Sequence, residues 1–566
     1  TMAVFVYRLP LFGQLIRKIP FTVKQRLRNI LCHPPVSEFT ESSPQANDAR
    51  GRKVSIIIPV YNHAEFLEQC IESAINQTWN ETEVLICDDA SPDPKVRPIL
   101  QKYADHTNCT VIFSEENAGI GQTQNKLMAA ATGDIIAFLD CDDFLEPHAV
   151  ACCMQHWQDN TIYLHTGRIN IDDEGKEVSR ISFEHLPRKD YFEENLERMY
   201  ATHFKLIHRN AIARAGAFDD RFDSAQDYDL LMRIAFHYPS EAFVHIPDFL
   251  YFHRFHDQQT TEVMNSNQSQ ATTIIQSEAR LRRDISEGRF SHFLSFIMLS
   301  YGKKTQTLQA IQSLEATVKV PHEIILFDNG SEPDTVAFIK REIDGKFENV
   351  RVFYNDTNLG PAAGRRAALG HARGDWFIIF DNDEIAEKGW LEELLVRACS
   401  DKNIGAVCCK VIFPDNSLQF SGGFLRYKDD DLVELDLYDR GANTNALGTA
   451  IFRDCDWCPI GATLFTLNPA EFLHPGYPNV FEDAGVSMQL KKRGKRLVNS
   501  PGSWVWHEHI TYQKKSEVDM HDKYINDRYN PKQMLVSIKS FYNENGYIIH
   551  DEYIWRENNL YSLSRD

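Results

Sequence analysis

The same series of motifs occurs twice in this chain at a nearly constant spacing, and no other feature constrains the fold as tightly. Ser55-Ile56-Ile57-Ile58-Pro59-Val60-Tyr61 has its counterpart in Ser295-Phe296-Ile297-Met298-Leu299-Ser300-Tyr301, 240 positions later. Ile86-Cys87-Asp88-Asp89-Ala90-Ser91 returns as Leu326-Phe327-Asp328-Asn329-Gly330-Ser331, again after 240. Asn117 and Gly119 return as Asn358 and Gly360, after 241. The run Gly133–Asp143, ending Asp140-Cys141-Asp142-Asp143, returns as Gly374–Glu384, ending Asp381-Asn382-Asp383-Glu384, after 241. Blocks that hold register to one residue mark two copies of one domain. A chain of 566 residues also exceeds what one hydrophobic core supports.

Each copy alternates strand and helix signals. Val54–Pro59, Glu83–Cys87 and Ile135–Leu139 are short apolar runs suited to buried parallel strands. Phe66, Cys70, Ile71 and Ile75 recur between the first two at helical spacing. Copy two repeats the strands at Phe293–Leu299, Glu323–Phe327 and Trp376–Phe380. The expected fold class is therefore α/β, two domains in tandem, with ligands gathering at the carboxyl ends of the strands. The expected boundaries are a basic N-terminal segment over 1–50, a first domain over 51–260, a helical linker over 261–290, a second domain over 291–512, and a C-terminal appendage with some helix over 513–566.

Charge and hydropathy narrow the function. A net charge of −20 excludes a general nucleic-acid binder. No run reaches the ~18 apolar residues of a spanning helix, and the stretch from Ala3 to Leu15 is interrupted by Arg8 and Pro10 without a cleavage site, so no secretory signal is expected. The twelve cysteines form no framework. Cys455-Asp456-Trp457-Cys458 is a lone C-x-x-C, and the expectation is reduced cysteines packed as small hydrophobes. Arg8, Arg17, Lys18, Lys24, Arg26 and Arg28 interleave with apolar residues before any acid appears, a pattern fit for peripheral contact with an anionic membrane surface or for docking on the protein itself.

The chemistry concentrates in the acids. Asp140 and Asp142, like Asp381 and Asp383, follow a buried strand, where clustered carboxylates are costly to hold. A divalent cation with a preference for hard oxygen, Mg²⁺ or Mn²⁺, relieves that cost and bridges diphosphate oxygens. A single such turn would read as a solvated helix cap; two in register favour the metal. Asp88 and Asp89, with Asp328 and Asn329, form a second polar pair at a strand end, suited to a nucleobase or ribose or to an Asx turn. Farther on stand Gln226-Asp227 and Glu482-Asp483, candidate general bases, and then His253-Arg254-Phe255-His256 and Trp506-His507-Glu508-His509.

At these residues the chain resembles glycosyltransferase family 2, whose fold is GT-A; the resemblance covers about 51–260 and 291–512. It rests on Ile58-Pro59-Val60-Tyr61-Asn62, Asp88-Asp89-Ala90-Ser91, Asn117-x-Gly119 with Asn125, and Leu139-Asp140-Cys141-Asp142-Asp143. It implies inverting transfer of a sugar from a nucleotide-diphosphate donor to an acceptor hydroxyl. Carried over by position, it implies Pro59, Tyr61, Asp88, Asp89, Asn117 and Asp140 around the donor, Asp140, Asp142 and His256 at a metal, and Asp227 as base. In copy two, Tyr301, Asp328, Asn358 and Asp381 take the donor side, Asp381, Asp383 and His507 the metal, and Asp483 the base. Gly461 and Ala462 resemble the acceptor-side loop. Three departures stand out: Gln226 where Glu is usual, Asn329 in the second acidic position, and Arg366 at the place of Asn125.

The resemblance further implies one Mn²⁺ or Mg²⁺ per copy, nucleotide-sugar donors, and a lipid-linked or oligosaccharide acceptor. The expected setting is cytoplasmic, at the inner face of a bacterial inner membrane, building capsule or lipopolysaccharide O-chain with both heads active. The leading alternative is one catalytic head beside a carbohydrate- or nucleotide-binding module. A nucleotidyltransferase lacks its basic Gly-rich loop here. A dinucleotide dehydrogenase resting on Gly119-Ile120-Gly121 lacks the third glycine. A non-enzymatic scaffold leaves both acidic motifs unused.

Overall fold

The computed structural model describes residues 52–182, 190–200, 203–256, 265–429, 432–473, 482–507, 547–549 and 562–565. The basic N-terminal segment and most of the C-terminal appendage lie outside the described residues. Copy one supplies β1 (Val54–Val60), β2 (Thr82–Asp88), β3 (Cys109–Phe113), β4 (Ile135–Phe138), β5 (Phe144–Leu145), β6 (Tyr163–Ile171), β7 (Glu177–Ile181), β8 (Lys205–His208) and β9 (Phe243–Arg254). Copy two supplies β10 (Leu294–Ser300), β11 (His322–Asn329), β12 (Val350–Asn355), β13 (Trp376–Ile379), β14 (Glu384–Ala386), β15 (Ile404–Ile412) and β16 (Leu418–Phe420). The hairpin β17 (Gly423–Asp429) and β18 (Leu432–Leu437) follows, then β19 (Thr463–Phe465) and β20 (Arg496–His507).

The two sheets have the same strand order. One runs β3-β2-β1-β4-β8-β6-β9-β5 with β7 on β6; the other runs β12-β11-β10-β13-β19-β15-β20-β14 with β16 on β15. The repeat seen in four sequence blocks therefore extends to every strand of both sheets. β1 lies parallel between β2 and β4 and is buried along its whole length, as an uninterrupted apolar strand requires. Between the sheets the chain forms a helix over Asn265–Ser286, longer than the apolar pattern at Ile274–Ile285 alone predicts. The C-terminal strands β21 (Tyr547–Ile549) and β22 (Ser562–Arg565) join the hairpin in a separate four-stranded sheet, so the described part of the appendage is strand. Among the described residues no helix is long and apolar enough to cross a membrane.

A polar trio explains why a glycine opens each acidic block. Ser55 Oγ donates to Glu83 Oε1 at 2.6 Å and accepts from Gly133 N at 2.9 Å. Ser295 Oγ donates to Glu323 Oε1 at 2.7 Å and accepts from Gly374 N at 2.8 Å. A Cβ on Gly133 or Gly374 would fall 2.6 or 2.7 Å from that serine oxygen, so only glycine admits the contact.

The copies also share a core. Ile412, Leu447, Ala450 and Trp504 of copy two are buried with Ala211, Phe218 and Leu231 of copy one. At the junction Glu393, buried on the helix Trp390–Cys399, pairs with Arg282 of the connecting helix at 2.8 Å and meets His237 Nε2 of copy one at 3.1 Å. Burial alone would raise the Glu393 pKa, but Arg282 and His237 outweigh it and hold the carboxyl down to about 2. Removing one partner of such a buried pair costs about 3–5 kcal/mol, and Glu393→Ala is expected to destabilise the chain by that order. Because the folded value lies below the ordinary 4.5, this stabilisation is complete above that pH and is lost as the pH falls towards 2. Denaturant unfolding should therefore show the gap between wild type and Glu393→Gln closing across that window; a gap equally wide at pH 3 and pH 7 would contradict the assignment.

Candidate active site

The carboxyl ends of β1, β2 and β4 and the amino end of β8, which runs antiparallel to β4, open onto a cavity of about 590 Å³ in copy one, lined by Pro59, Tyr61, Asp89, Asn117, Asp140, Asp142 and Asp227 among others. Tyr61, at the end of β1, is 45% exposed, and Tyr301 at the matching position of copy two is 48% exposed, so both present ring surface to a planar ligand. Asp89 accepts from Ala118 N and Gly119 N, each at 3.0 Å, and so ties the Asn117–Gly119 turn to the end of β2. Asp88 does not line the cavity. It is buried and accepts from Ser91 N at 3.0 Å, the Asx-turn role.

Within the acidic motif the three aspartates have separate surroundings. Asp143 is fully buried and accepts from Tyr251 Oη at 2.7 Å and from Arg254 N at 2.7 Å, with His253 Nδ1 at 2.9 Å, which anchors the motif to β9. Asp142 faces His256 Nε2 at 2.9 Å. Burial pushes the Asp142 carboxyl upward, but the His256 bond and the imidazoles of His253 and His63 leave it below its ordinary value. Asp140, half-buried at the cavity wall, is pushed up to about 8 by desolvation and by its neighbours Asp143 and Asp142. His63, Asp142 and His256 bring ligand atoms within 4.8 Å of one another, a set of two imidazoles and a carboxylate that suits a divalent cation. Asp227, at the start of the helix Gln226–His237, pairs with Lys205 Nζ of β8 at 2.7 Å.

Copy two builds the same positions with different charges. Lys303 stands 240 positions after His63, in the same left-handed backbone conformation, with φ of 48° against 57°. Its Nζ lies 2.6 Å from Asp383 Oδ2, and His507 Nε2 lies 3.2 Å from that oxygen. An ammonium thus fills the position that an imidazole holds in copy one. The β14–β20 register pairs Ile385 with Trp506, as β5–β9 pairs Phe144 with Phe252, so His507 is the strand counterpart of His253. Through Asp383 it makes the contact that His256 makes in copy one. The residues immediately after His507 lie outside those described.

The departures at Gln226 and Asn329 have partners. Gln226 Nε2 faces Gln124 Oε1 at 3.5 Å; in copy two the corresponding pair is Arg365 and Glu482, and Arg365 also reaches Asp381 at 2.6 Å. A neutral amide pair has been exchanged as a unit for a charged one. Asn329 keeps the loop-tying role of Asp89, accepting from Leu359 N at 2.9 Å and donating to Gly360 O at 3.1 Å and Asn358 Oδ1 at 3.0 Å. Asp328 is buried and accepts from Ser331 N at 3.2 Å, like Asp88. Arg366, at the place of Asn125, instead donates to Leu473 O at 3.2 Å.

Asp483 opens the helix Glu482–Lys492, and burial beside Glu482 pushes it up to about 7. Gly461 backs onto the acidic motif, where a Cβ would sit 2.9 Å from Asp381 Oδ2 and 2.8 Å from Glu384 Oε1. Ala462, in contrast, turns its methyl into the core of copy two. Sequence reading missed His63, Lys205, Lys303 and Arg365. The first and third could have been found by extending the repeat two residues beyond Tyr61 and Tyr301; Lys205 is a lone cation in an apolar strand run, and Arg365 stands beside Arg366 with nothing local to set it apart.

The family model "Glycosyl transferase family 2" matches residues 55–222 and again 295–452. The O-antigen biosynthesis protein RfbC of Myxococcus xanthus is 26% identical over 398 residues, 65% of this chain and 30% of that protein. Chondroitin synthase of Escherichia coli is 32% identical over 241 residues, 42% of this chain and 34% of that protein. Hyaluronan synthase of Pasteurella multocida is 28% identical over 243 residues, 42% of this chain and 24% of that protein. The chain thus spans about a third or less of the length of these relatives.

The swapped pair makes a double-mutant cycle informative. Arg365→Gln alone leaves Glu482 buried without its cation and is expected to cost about 3 kcal/mol. Adding Glu482→Gln, which recreates the amide pair of copy one, should recover about half or more of that loss. Denaturant unfolding of the four proteins checks it, and additive losses would sink the idea that the two positions changed together.

Proposed function

Since the chain belongs to glycosyl transferase family 2 over two separate stretches, we propose that it is a two-headed, inverting glycosyltransferase that extends a bacterial surface glycan. The observation that carries this reading is the cavity of copy one, where Asp89 after β2, Asp140 and Asp142 after β4, and Asp227 at the start of the helix Gln226–His237 converge. Tyr61 and Pro59 would hold the nucleotide, and the acceptor hydroxyl would give its proton to Asp227 as the new glycosidic bond forms on the opposite face from the departing diphosphate. Lys205, 2.7 Å from Asp227, holds that carboxylate in position. The O-antigen and glycosaminoglycan polymerase names among the relatives support a polysaccharide product. Peripheral attachment to the inner membrane face through the basic segment before residue 51 is part of the same proposal.

The chemistry of the side chains separates the heads. His63, Asp142 and His256 fit Mn²⁺ or Mg²⁺, which would neutralise the diphosphate leaving group. In copy two the described residues fit a cation less well, because Lys303 already neutralises Asp383 and Arg365 neutralises Asp381. There the proposal assigns charge stabilisation to the chain's own ammonium and guanidinium groups, with Asp483 as base. The same pairing favours a second reading, in which copy two only binds donor or glycan.

Release of nucleoside diphosphate, measured with a panel of nucleotide sugars, a range of Mn²⁺ concentrations and acceptor glycans, tests both readings. Asp142→Ala and Asp383→Ala are each expected to lose turnover of one donor and keep the other. The activity that survives in Asp142→Ala should withstand chelation at least about tenfold better than the one that survives in Asp383→Ala. If Asp383→Ala and Asp483→Asn leave every turnover intact, copy two is a binding module. If the wild-type chain turns over no donor, the transferase reading fails.

A further inference from the structure

Copy two contains a cluster of thiols that the transfer reaction does not use. Cys408, at the centre of β15, meets Cys455 and Cys458 of the loop before β19, and the three sulfur atoms lie within 4.8 Å of one another. All three side chains are buried, at 0%, 4% and 2% exposure. None is in a disulfide. The C-x-x-C is thus not alone: folding brings it a third sulfur 47 positions upstream in sequence.

The protein is built tightly around this cluster. Cys455 N donates to Leu497 O of β20 at 2.7 Å, and Cys458 N to Ser487 Oγ of the helix Glu482–Lys492 at 3.0 Å. Gly422 passes so close that a Cβ there would fall 2.3 Å from Cys455 Sγ. Copy one has no equivalent. The β6–β8 and β15–β19 registers place His165 where Cys408 stands, and residues 190–204 contain no cysteine. The cluster was therefore gained or kept in one copy alone, which an apolar core by itself does not require.

We propose that Cys408, Cys455 and Cys458 supply three ligands to a soft d¹⁰ cation of the Zn²⁺ class, at a site distinct from the carboxylate–imidazole site of copy one. Tetrahedral zinc with Zn–S bonds of about 2.3 Å separates its sulfurs by roughly 3.8 Å, within the spacing observed. Binding converts the thiols to thiolates and releases their protons to solvent. The site's position gives it a purpose. Cys458 lies three residues before Gly461, which touches Asp381, and its backbone is bonded to the helix that begins with Glu482 and Asp483. Closing the cluster pins that loop and helix to β15, and so fixes the acidic motif and the base against each other.

The full chain, purified under reducing conditions, is assayed for bound metal by mass spectrometry, then stripped and titrated with Zn²⁺ and with Cd²⁺ while thiolate-to-metal charge-transfer absorbance is followed. The expected result is one equivalent of Zn²⁺ or Cd²⁺ with that band, kept in Asp142→Ala and in Cys399→Ser and lost in Cys408→Ser. Should Cys408→Ser fail to fold, Cys458→His, which supplies another zinc ligand, should bind with a weakened band. A wild-type chain that takes up neither metal at the thiols, or that shows two of the three joined in a disulfide, overturns the proposal.

Discussion

Carboxylates that must stand together at the end of a buried strand are the constraint around which both halves of this molecule are arranged. Each of the three aspartates from Asp140 to Asp143 would be costly to ionise beside the others. The surrounding chain answers each one separately. Asp143 is absorbed by β9 through Tyr251, His253 and the Arg254 backbone. Asp142 is met by His256 and His63. Asp140 is left to be pushed upward and faces the open cavity, where a ligand can complete it. The sheet order follows from the same need, since β9 must return beside β5 to bring His253 and His256 back.

The repeat shows the same constraint met a second way. At 240 or 241 residues' distance, His63 becomes Lys303 and the Gln124–Gln226 pair becomes Arg365–Glu482. The cations that copy one leaves to its ligands, copy two carries on its own side chains, while Lys205, which pairs with Asp227 in copy one, has Thr463 at its strand position. One scaffold with two charge arrangements is what two different donors, or two different stages of one polymer, would require.

Most of the fold could be read from the residues because its signals are local and repeated. An apolar strand ending in a Gly-Asp-led acidic block is visible in the chain, and the duplication turns a weak motif into a strong one. The predicted strands Val54–Pro59 and Glu323–Phe327 lie within β1 and β11. What could not be read is what long-range pairing creates. Lys205 meets Asp227 only because β8 packs antiparallel to β4, and Cys408 meets Cys455 and Cys458 only because β15 lies beside the loop before β19. The expectation of dispersed hydrophobic cysteines missed that convergence for the same reason. Ala462 matched an acceptor-side motif in sequence, yet its side chain lies in the core of copy two.

The central proposal is that both heads transfer sugar, each from its own donor. Its most direct test is product analysis by mass spectrometry after incubation with two donors and a short acceptor. The account predicts that wild type adds both sugars, and that Asp142→Ala and Asp383→Ala each add only one, of different mass. A wild type that adds only one of the sugars, or two variants that add the same one, would contradict it.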